Sequence, residues 1–306
     1  MITIKSEETQ WNDAQIRFGP YNSTMTKHSS EHESGSANEN HGSDKVEESY
    51  GASADFKYDK ETFTFVFDYP KDDDRSLKDE KISINLQGFQ SKSNITYCST
   101  GLTMWPAAKN LSDHLVKNPD SIRGKRILEL GSGLGLCGLV AHHLTNSNAI
   151  IHMTDGDTDT LGLLQENIAS NQLSRTDSAI CSGENDSTGN ESNNVLPDSA
   201  LSCCQLLWSR ENSALFLEKR AGGQKFDVIL ASDIIYAMSV VGPMWETIDT
   251  LLTRDGIFLF AFARRQVAVT MVDVLEAGKL AGFVYEECEE TDLSSDLFVY
   301  IFRKAN

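Results

Sequence analysis

GKRILELGSGLGLCGLVAHHLTNSNAIIHMTDGD, residues 124–157, is the stretch that decides the fold of this chain. It begins with a short apolar run, Arg126 to Leu130, which predicts a buried strand. Glycines at 131, 133, 135 and 138 follow, and an apolar helix begins among them. A second apolar run, residues 149–153, stops just before Asp155. Strand, glycine turn, helix and strand within about 30 residues are the pattern of a βαβ unit.

The glycine turn and the acid after the second strand predict a site for a nucleotide-type ligand. Gly131 and Gly133 can adopt positive φ and, without a Cβ, let a ligand approach the backbone closely. The helix that follows offers unpaired N–H groups at its N-terminus. Asp155 can accept both hydrogen bonds of a ribose diol. Gly133-x-Gly135-x-x-Gly138 also satisfies the dinucleotide pattern, so a dinucleotide oxidoreductase that binds NAD stays open at this point.

Composition excludes several classes of protein. With 306 residues and 40% hydrophobic content, the chain fits one large domain or one domain with appendages. A net charge of −18 and a pI of about 4.7 disfavour nucleic acid as a partner. The six cysteines have no CxxC spacing, which argues against a zinc site and against a disulfide scaffold. This cysteine usage fits a reducing cytosol, and we expect no metal site. No apolar run approaches the ~18 residues of a membrane span, and the N-terminus lacks the apolar segment of a signal peptide.

Three regions differ in composition. Residues 1–54 are rich in Ser, Asn, Glu and His, which predicts a disordered tail. Residues 55–99 are expected to form a small β appendage, and residues 100–306 the main domain, with a polar insertion loop at 174–200. Alternating apolar residues predict the two strands of the appendage: Phe63, Phe65 and Phe67, and then Ile82, Ile84 and Leu86.

Strand and helix patterns alternate through the main domain. This alternation predicts a doubly wound, mostly parallel α/β sheet. The predicted strands are 126–130, 149–153, 203–208, 226–231, 256–263 and 297–302. Two predicted helices begin at Pro106 and at Leu136, and a third ends near Asn171. Two more span Met244–Leu252 and Val267–Leu280.

Polar and special residues follow four of the predicted strands. Gly131-Ser132-Gly133, Asp155, Trp208 and Ser232-Asp233 each stand at the carboxyl end of a different run. Ligands of open α/β sheets bind beyond those ends, so we expect these residues to converge on one site. Trp105, just ahead of a predicted helix, is either a core side chain or a ring against the ligand.

The sequence resembles the family-16 methyltransferases, which include lysine methyltransferases acting on calmodulin, elongation factors and chaperones. The resemblance covers roughly residues 95 to 302 and leaves out the N-terminal tail and the 174–200 insertion. It implies a Rossmann-like class I fold with seven strands, the last one antiparallel, and S-adenosylmethionine (AdoMet) as cofactor. Five motifs carry it: WPAA at 105–108, ELGSG at 129–133, TD at 154–155, LLW at 206–208 and ASDIIY at 231–236.

The resemblance also implies roles for the cofactor-site residues. Gly131-Ser132-Gly133 would hold the methionine part of AdoMet, and Asp155 would bind the ribose hydroxyls. Trp208 and the backbone at Ser232 would flank the adenine, and Trp105 would line the pocket. Ser232 departs from the small apolar residue of many relatives, and Ser209-Arg210 replaces the glycine that commonly follows the tryptophan.

The implied activity is protein-lysine N-methylation of a cytosolic protein. Asp233 and Tyr236 match an Asp-x-x-Tyr motif that would face the substrate, although Tyr236 is also readable as a packed aromatic. The same fold could serve another acceptor: histidine, an N-terminal amine, RNA or a small molecule. A non-catalytic AdoMet-binding partner protein is a further alternative. We expect a cytoplasmic monomer, with the nucleus as a second compartment, and no membrane or nucleic-acid partner.

Overall fold

The computed structural model describes residues 60–68, 81–91, 99–145, 149–180, 200–264, 269–288 and 296–305. For residues 173–180 and 200 only the backbone is described. The predicted tail at 1–54 lies outside the described residues, and so does most of the predicted 174–200 insertion loop. The boundary expected at residue 55 is likewise outside them.

Nine strands and six helices account for the regular structure of the described residues, beside two short 3₁₀ turns at Thr100–Leu102 and Pro119–Ser121. The strands are β1 (Glu61–Asp68), β2 (Lys81–Gly88), β3 (Arg126–Leu130), β4 (Ile150–Asp155), β5 (Ala200–Gln205), β6 (Phe226–Ser232), β7 (Leu252–Ala263), β8 (Phe283–Glu287) and β9 (Leu297–Lys304). The helices are α1 (Pro106–Lys117), α2 (Leu136–Leu144), α3 (Thr158–Ile180), α4 (Arg210–Lys219), α5 (Met238–Leu251) and α6 (Met271–Leu280).

Seven of these strands form one sheet, in the order β5-β4-β3-β6-β7-β9-β8. Strands β3 to β7 pair in parallel, and β9 pairs antiparallel with both β7 and β8. Only the last strand therefore runs against the others. The predicted doubly wound, seven-stranded α/β fold is confirmed, including its antiparallel last strand. Because β3 to β7 are parallel, their carboxyl ends share one edge of the sheet, where the candidate site lies.

The predicted N-terminal appendage is a separate two-stranded sheet. β1 and β2 pair antiparallel over their whole length, with Phe67 opposite Ile82 and Phe63 opposite Leu86. Ile84 and Leu86 are fully buried, and the alternation of apolar residues turns this face of the hairpin towards the main domain.

Helices cover both faces of the large sheet. Their apolar side chains form two hydrophobic clusters, one on each side. One cluster joins the hairpin with α1, α2 and α3, through side chains such as Ile84, Leu111, Leu139 and Leu164. The other joins α4, α5 and α6, through side chains such as Phe216, Trp245 and Val274. None of the helices in the described ranges is long and apolar enough to cross a membrane.

Several elements differ from their predictions. β8 and α4 were not predicted from periodicity, and α5 begins at Met238, ahead of the expected Met244. α3 continues to Ile180, beyond the expected end near Asn171, since a helix needs no apolar side chains to keep its internal hydrogen bonds. α6 starts at Met271 because Thr270 and Asp273 form a capping box there. β5 ends at Gln205, so Trp208 lies in the loop after the strand.

Candidate functional site

The glycine turn after β3 is held in a conformation that L side chains rarely adopt. Gly131, Gly133 and Gly135 have φ angles of 60°, 52° and 96°. The Ser132 N–H donates to the Thr154 carbonyl over 2.9 Å, and the Gly135 N–H donates to the Ser132 carbonyl over 2.8 Å. These bonds tie the turn to itself and to β4. The predicted left-handed glycines at 131 and 133 are therefore present at the start of α2.

Neighbouring side chains leave no room for a side chain at Gly131. A Cβ on Gly131 would lie 2.5 Å from Ile234 Cγ2 and 3.9 Å from Trp208 Cζ2. Ile234 is itself buried. The loops after β5 and β6 thus close over the turn that follows β3, which brings three of the predicted strand ends into one site.

Gly131→Ala is expected to destabilise the chain by on the order of 3 kcal/mol, because alanine at positive φ is strained and its methyl group would displace Ile234. Urea unfolding monitored by circular dichroism measures the effect. Gly162→Ala is the matched control: Gly162 lies within α3, and a Cβ there would have no atom within 4 Å. The control should be more stable than wild type by about 0.5–1 kcal/mol. Equal stability of the two variants would contradict the restriction at Gly131.

Asp155, at the end of β4, is joined directly to the glycine turn. Its Oδ2 accepts from the Gly133 N–H over 3.0 Å, and its Oδ1 accepts from the Asp157 N–H over 3.1 Å. Burial is the main cause that raises the pKa of this carboxyl. A carboxylate offers about four lone-pair sites, so hydrogen-bonding capacity remains for hydroxyl groups of a ligand.

Ser232 and Cys137 lie beside the start of α2. Cys137 Sγ is 3.9 Å from Ser232 Oγ and 3.3 Å from the Ala108 carbonyl, to which the thiol donates. Burial raises the pKa of this thiol, so it stays protonated at neutral pH and serves in packing. Ser232 is half-buried at the last position of β6.

Asp233 holds together the start of α1 and the ends of β6 and β7. Its Oδ2 accepts from the Ala107 N–H over 3.1 Å and its Oδ1 from the Ala263 N–H over 2.8 Å. The residue is buried and has a φ of 55°, a region that Asp and Asn tolerate better than most residues. A carboxylate at a helix N-terminus is also stabilised by the helix dipole.

Trp105 and Tyr236 lie on the two segments that Asp233 joins. Trp105 is the residue immediately before α1, is half-buried, and donates from Nε1 to the Thr100 carbonyl over 2.7 Å. Tyr236 lies between β6 and α5 and is 47% exposed. That exposure places a phenol ring at the surface of the site edge and argues against a fully packed aromatic at this position.

One ionisable residue of the site was not predicted. Glu129 is buried within β3, and its Oε2 accepts from the Gly138 N–H over 3.2 Å at the first turn of α2. Burial is the main cause that raises its pKa to about 8, so most of it is protonated at neutral pH. An acid inside an apolar strand is the sequence signal that could have identified it, because unpaired acids are rarely buried.

The residues gathered here suit a cationic ligand better than an anionic one. Within the described residues, Asp155 contacts the turn and Asp233 follows β6, the nearby Glu129 is mostly protonated at neutral pH, and the turn 131–135 contains no lysine or arginine. A pyrophosphate would meet carboxylates without a basic partner, whereas a sulfonium would be favoured. The glycine backbone, Asp155 and the Trp208 ring therefore fit AdoMet, which carries a sulfonium, a ribose and an adenine.

Known proteins share sequence similarity with this chain. A family model described as lysine methyltransferase matches residues 85–183 and 187–272. The protein-lysine N-methyltransferase EFM3 of Chaetomium thermophilum is 31% identical over 187 residues, 60% of this chain and 48% of that protein. The calmodulin-lysine N-methyltransferase of Arabidopsis thaliana is 32% identical over 90 residues, 29% of each chain. The human protein-lysine N-methyltransferase EEF2KMT is 30% identical over 157 residues, 50% of this chain and 42% of that protein. The aligned part thus spans half or less of these relatives.

Proposed function

The chain belongs to the lysine methyltransferase family, and from this premise we propose that it is an AdoMet-dependent protein-lysine N-methyltransferase acting on a cytosolic protein. The observation that carries the proposal is the hydrogen bond between the glycine turn and the Asp155 carboxylate at the end of β4. Gly133 N lies 3.0 Å from Asp155 Oδ2, and the Trp208 ring stands beside Gly131. At this one place the glycine turn lets a ligand approach the backbone closely, Asp155 can accept hydrogen bonds from a ribose, and Trp208 presents an aromatic face.

Cofactor binding follows from the residues around this turn. The Gly131-Ser132-Gly133 backbone receives the methionine part, and Asp155 accepts from the ribose hydroxyls. Trp208 and the backbone at Ser232 flank the adenine. Trp105, which precedes α1, lines the pocket. When bound, AdoMet supplies an electrophilic methyl group on a sulfonium.

The chain's own part in the reaction is to align the acceptor and to exclude water. A lysine must be uncharged to attack, yet its ordinary pKa is about 10.4. A desolvated site next to a cation lowers that pKa, whereas a carboxylate would raise it. We therefore assign Asp233 to holding and orienting the amine, not to acting as a strong base. The exposed ring of Tyr236 offers a π face to the amine or methylammonium.

The surroundings of the reaction are part of the proposal. A net charge of −18 favours a basic protein segment over nucleic acid as the partner. We assign the protein to the cytoplasm, with the nucleus as a second compartment, and we take it to act as a monomer. The hairpin and the loops after β5 and β6 border the site, and we assign them to contact with a protein substrate.

Titration calorimetry with AdoMet and, separately, with NAD tests the cofactor. Micromolar AdoMet binding is expected, and Asp155→Ala should weaken it roughly 10- to 100-fold through the loss of charge-assisted hydrogen bonds. Asp159→Ala is the matched control, because Asp159 is an exposed acid in the first turn of α3. It should leave the affinity within about twofold of wild type. Binding of NAD without AdoMet would overturn the proposal in favour of a dinucleotide enzyme.

The acceptor is tested with methyl-tritiated AdoMet and a cell lysate. Label should enter protein, and acid hydrolysis should recover it as methylated lysine. Label recovered as methylhistidine, on an N-terminal amine, in RNA or in a small molecule would move the enzyme to another acceptor. AdoMet binding without any label transfer would identify a non-catalytic binding protein.

A further inference from the structure

Two asparagines of α3 take the place of a third strand beside the N-terminal hairpin. Among the described residues β2 pairs only with β1, so one edge of β2 has no strand partner there. Asn171 accepts from the Asn85 N–H over 3.1 Å and donates to the Asn85 carbonyl over 2.8 Å. Asn167 does the same at Gln87, with 2.8 Å to its N–H and 3.1 Å to its carbonyl. The hairpin is thus fastened to α3 by four side-chain bonds.

Asn167 makes one contact that Asn171 does not. Its Nδ2 also donates to the Leu134 carbonyl over 3.1 Å. Leu134 lies between Gly133 and Gly135, inside the turn that the proposed cofactor would touch. Asn171 instead directs its second donor to the Asn167 carbonyl within α3, over 2.8 Å. Both side chains are buried, with 1% and 5% exposure, so these bonds are shielded from water.

The hairpin reaches the same turn by a second route. The Phe89 N–H donates to the Leu102 carbonyl over 2.9 Å, and Thr103 Oγ1 donates to the Phe89 carbonyl over 2.6 Å. The segment 99–103 then lies against the turn, because a Cβ on Gly133 would be 3.3 Å from the Gly101 carbonyl oxygen. Hairpin, segment 99–103, glycine turn and α3 therefore form a closed set of contacts.

We propose that Asn167 is a positioning residue that couples docking of the N-terminal hairpin to the shape of the cofactor-binding turn. The inference rests on the proposed function, since it concerns the same site. The Asn167 side-chain amide is one rigid group that donates both to the Gln87 carbonyl of the hairpin and to the Leu134 carbonyl of the turn. Movement of the hairpin therefore displaces the turn. The appended hairpin is then a part of the cofactor site, and its role is not confined to substrate choice.

Two leucine variants separate this coupling from simple attachment of the hairpin. Asn167→Leu and Asn171→Leu each remove the bonds to one β2 residue with little change in side-chain volume. S-adenosylhomocysteine is the probe, titrated by calorimetry. We expect Asn167→Leu to raise its Kd at least tenfold, and Asn171→Leu to leave it within threefold of wild type. Equal Kd values for both variants and wild type would overturn the proposal.

Hydrogen exchange tests the coupling first on the wild-type chain. Linkage is reciprocal, so a ligand that orders the turn must also stabilise the hairpin. Saturating S-adenosylhomocysteine should slow exchange of the Asn85 and Gln87 amides at least threefold. In Asn167→Leu, which keeps the Asn171 acceptor of the Asn85 amide, the slowing at Asn85 should be absent. Binding to wild type with no slowing at these amides would overturn the coupling while leaving the proposed function intact. No binding of the probe to wild type would overturn the proposed function itself.

Discussion

Asp233→Asn is expected to lower kcat for methyl transfer more than about 100-fold while the chain stays folded. Asparagine adopts positive φ readily and keeps the side-chain shape. Its carbonyl oxygen can accept from one of the two backbone N–H groups, Ala107 or Ala263, that bind the carboxylate now. Its NH₂ group then faces the other donor, at a cost of about 1–3 kcal/mol. The negative charge proposed to hold the acceptor amine is lost, and tritium transfer to lysate protein measures the consequence.

A carboxylate at the other end of the same strand provides the matched control. Asp227 Oδ2 accepts from the Arg126 N–H over 2.9 Å, near the amino ends of β3 and β6. Asp227→Asn therefore makes the same chemical change to the same kind of contact, away from the site. We expect wild-type kcat and a smaller loss of stability, because the asparagine oxygen can still accept from the Arg126 N–H. If Asp233→Asn kept the wild-type kcat, the proposed role of Asp233 in orienting the amine would be wrong, and its carboxylate would be a structural contact alone.

Glu129→Gln is expected to remove a large pH dependence of stability. Burial raises the pKa of Glu129 from 4.5 to about 8 in the folded chain. Between those values unfolding releases a proton, so this residue's contribution to stability is full below pH 4.5 and declines as the pH rises towards 8. At roughly 1.4 kcal/mol per pKa unit, the whole shift corresponds to a loss of about 5 kcal/mol. Glutamine keeps an oxygen for the Gly138 N–H and has no proton to lose.

Urea unfolding at pH 5 and pH 8 measures this difference. The variant and wild type should be close in stability at pH 5, and the variant should be more stable by several kcal/mol at pH 8. Glu166→Gln is the control, because the Glu166 side chain is 60% exposed and paired with Lys60. That substitution should leave the change between the two pH values as it is in wild type. Identical pH dependence of Glu129→Gln and wild type would show that Glu129 is ionised in the folded chain.

The local parts of the site could be predicted because their signals are local. A glycine run after an apolar strand predicts its own turn, since only glycine adopts those φ angles without strain. The parallel arrangement then places Asp155, Trp208 and Ser232 at one edge by the general rule for such sheets. Periodicity likewise located β1 and β2, whose side chains alternate between core and surface.

Elements without an apolar period were missed for a physical reason. β8 is an edge strand in which only Phe283 is buried, so its sequence shows no alternation. It is a strand because β9 pairs with it, from Phe283 opposite Lys304 to Glu287 opposite Tyr300. Glu129 lies within the ELGSG motif, but its protonation depends on burial that neighbouring elements create.

By itself, the sequence determined the βαβ unit, the doubly wound sheet, the glycine turn and the family, because each is indicated by short motifs or by local periodicity along the chain. Only the tertiary structure decided that Asp233 joins α1 to β7 and that Asn167 joins the hairpin to the glycine turn. Ala107 and Asp233 are 126 positions apart, and Gln87 and Asn167 are 80 apart. A hydrogen bond across such a separation leaves no periodic trace in either segment, since it forms only when the sheet and helices have brought the two backbones together.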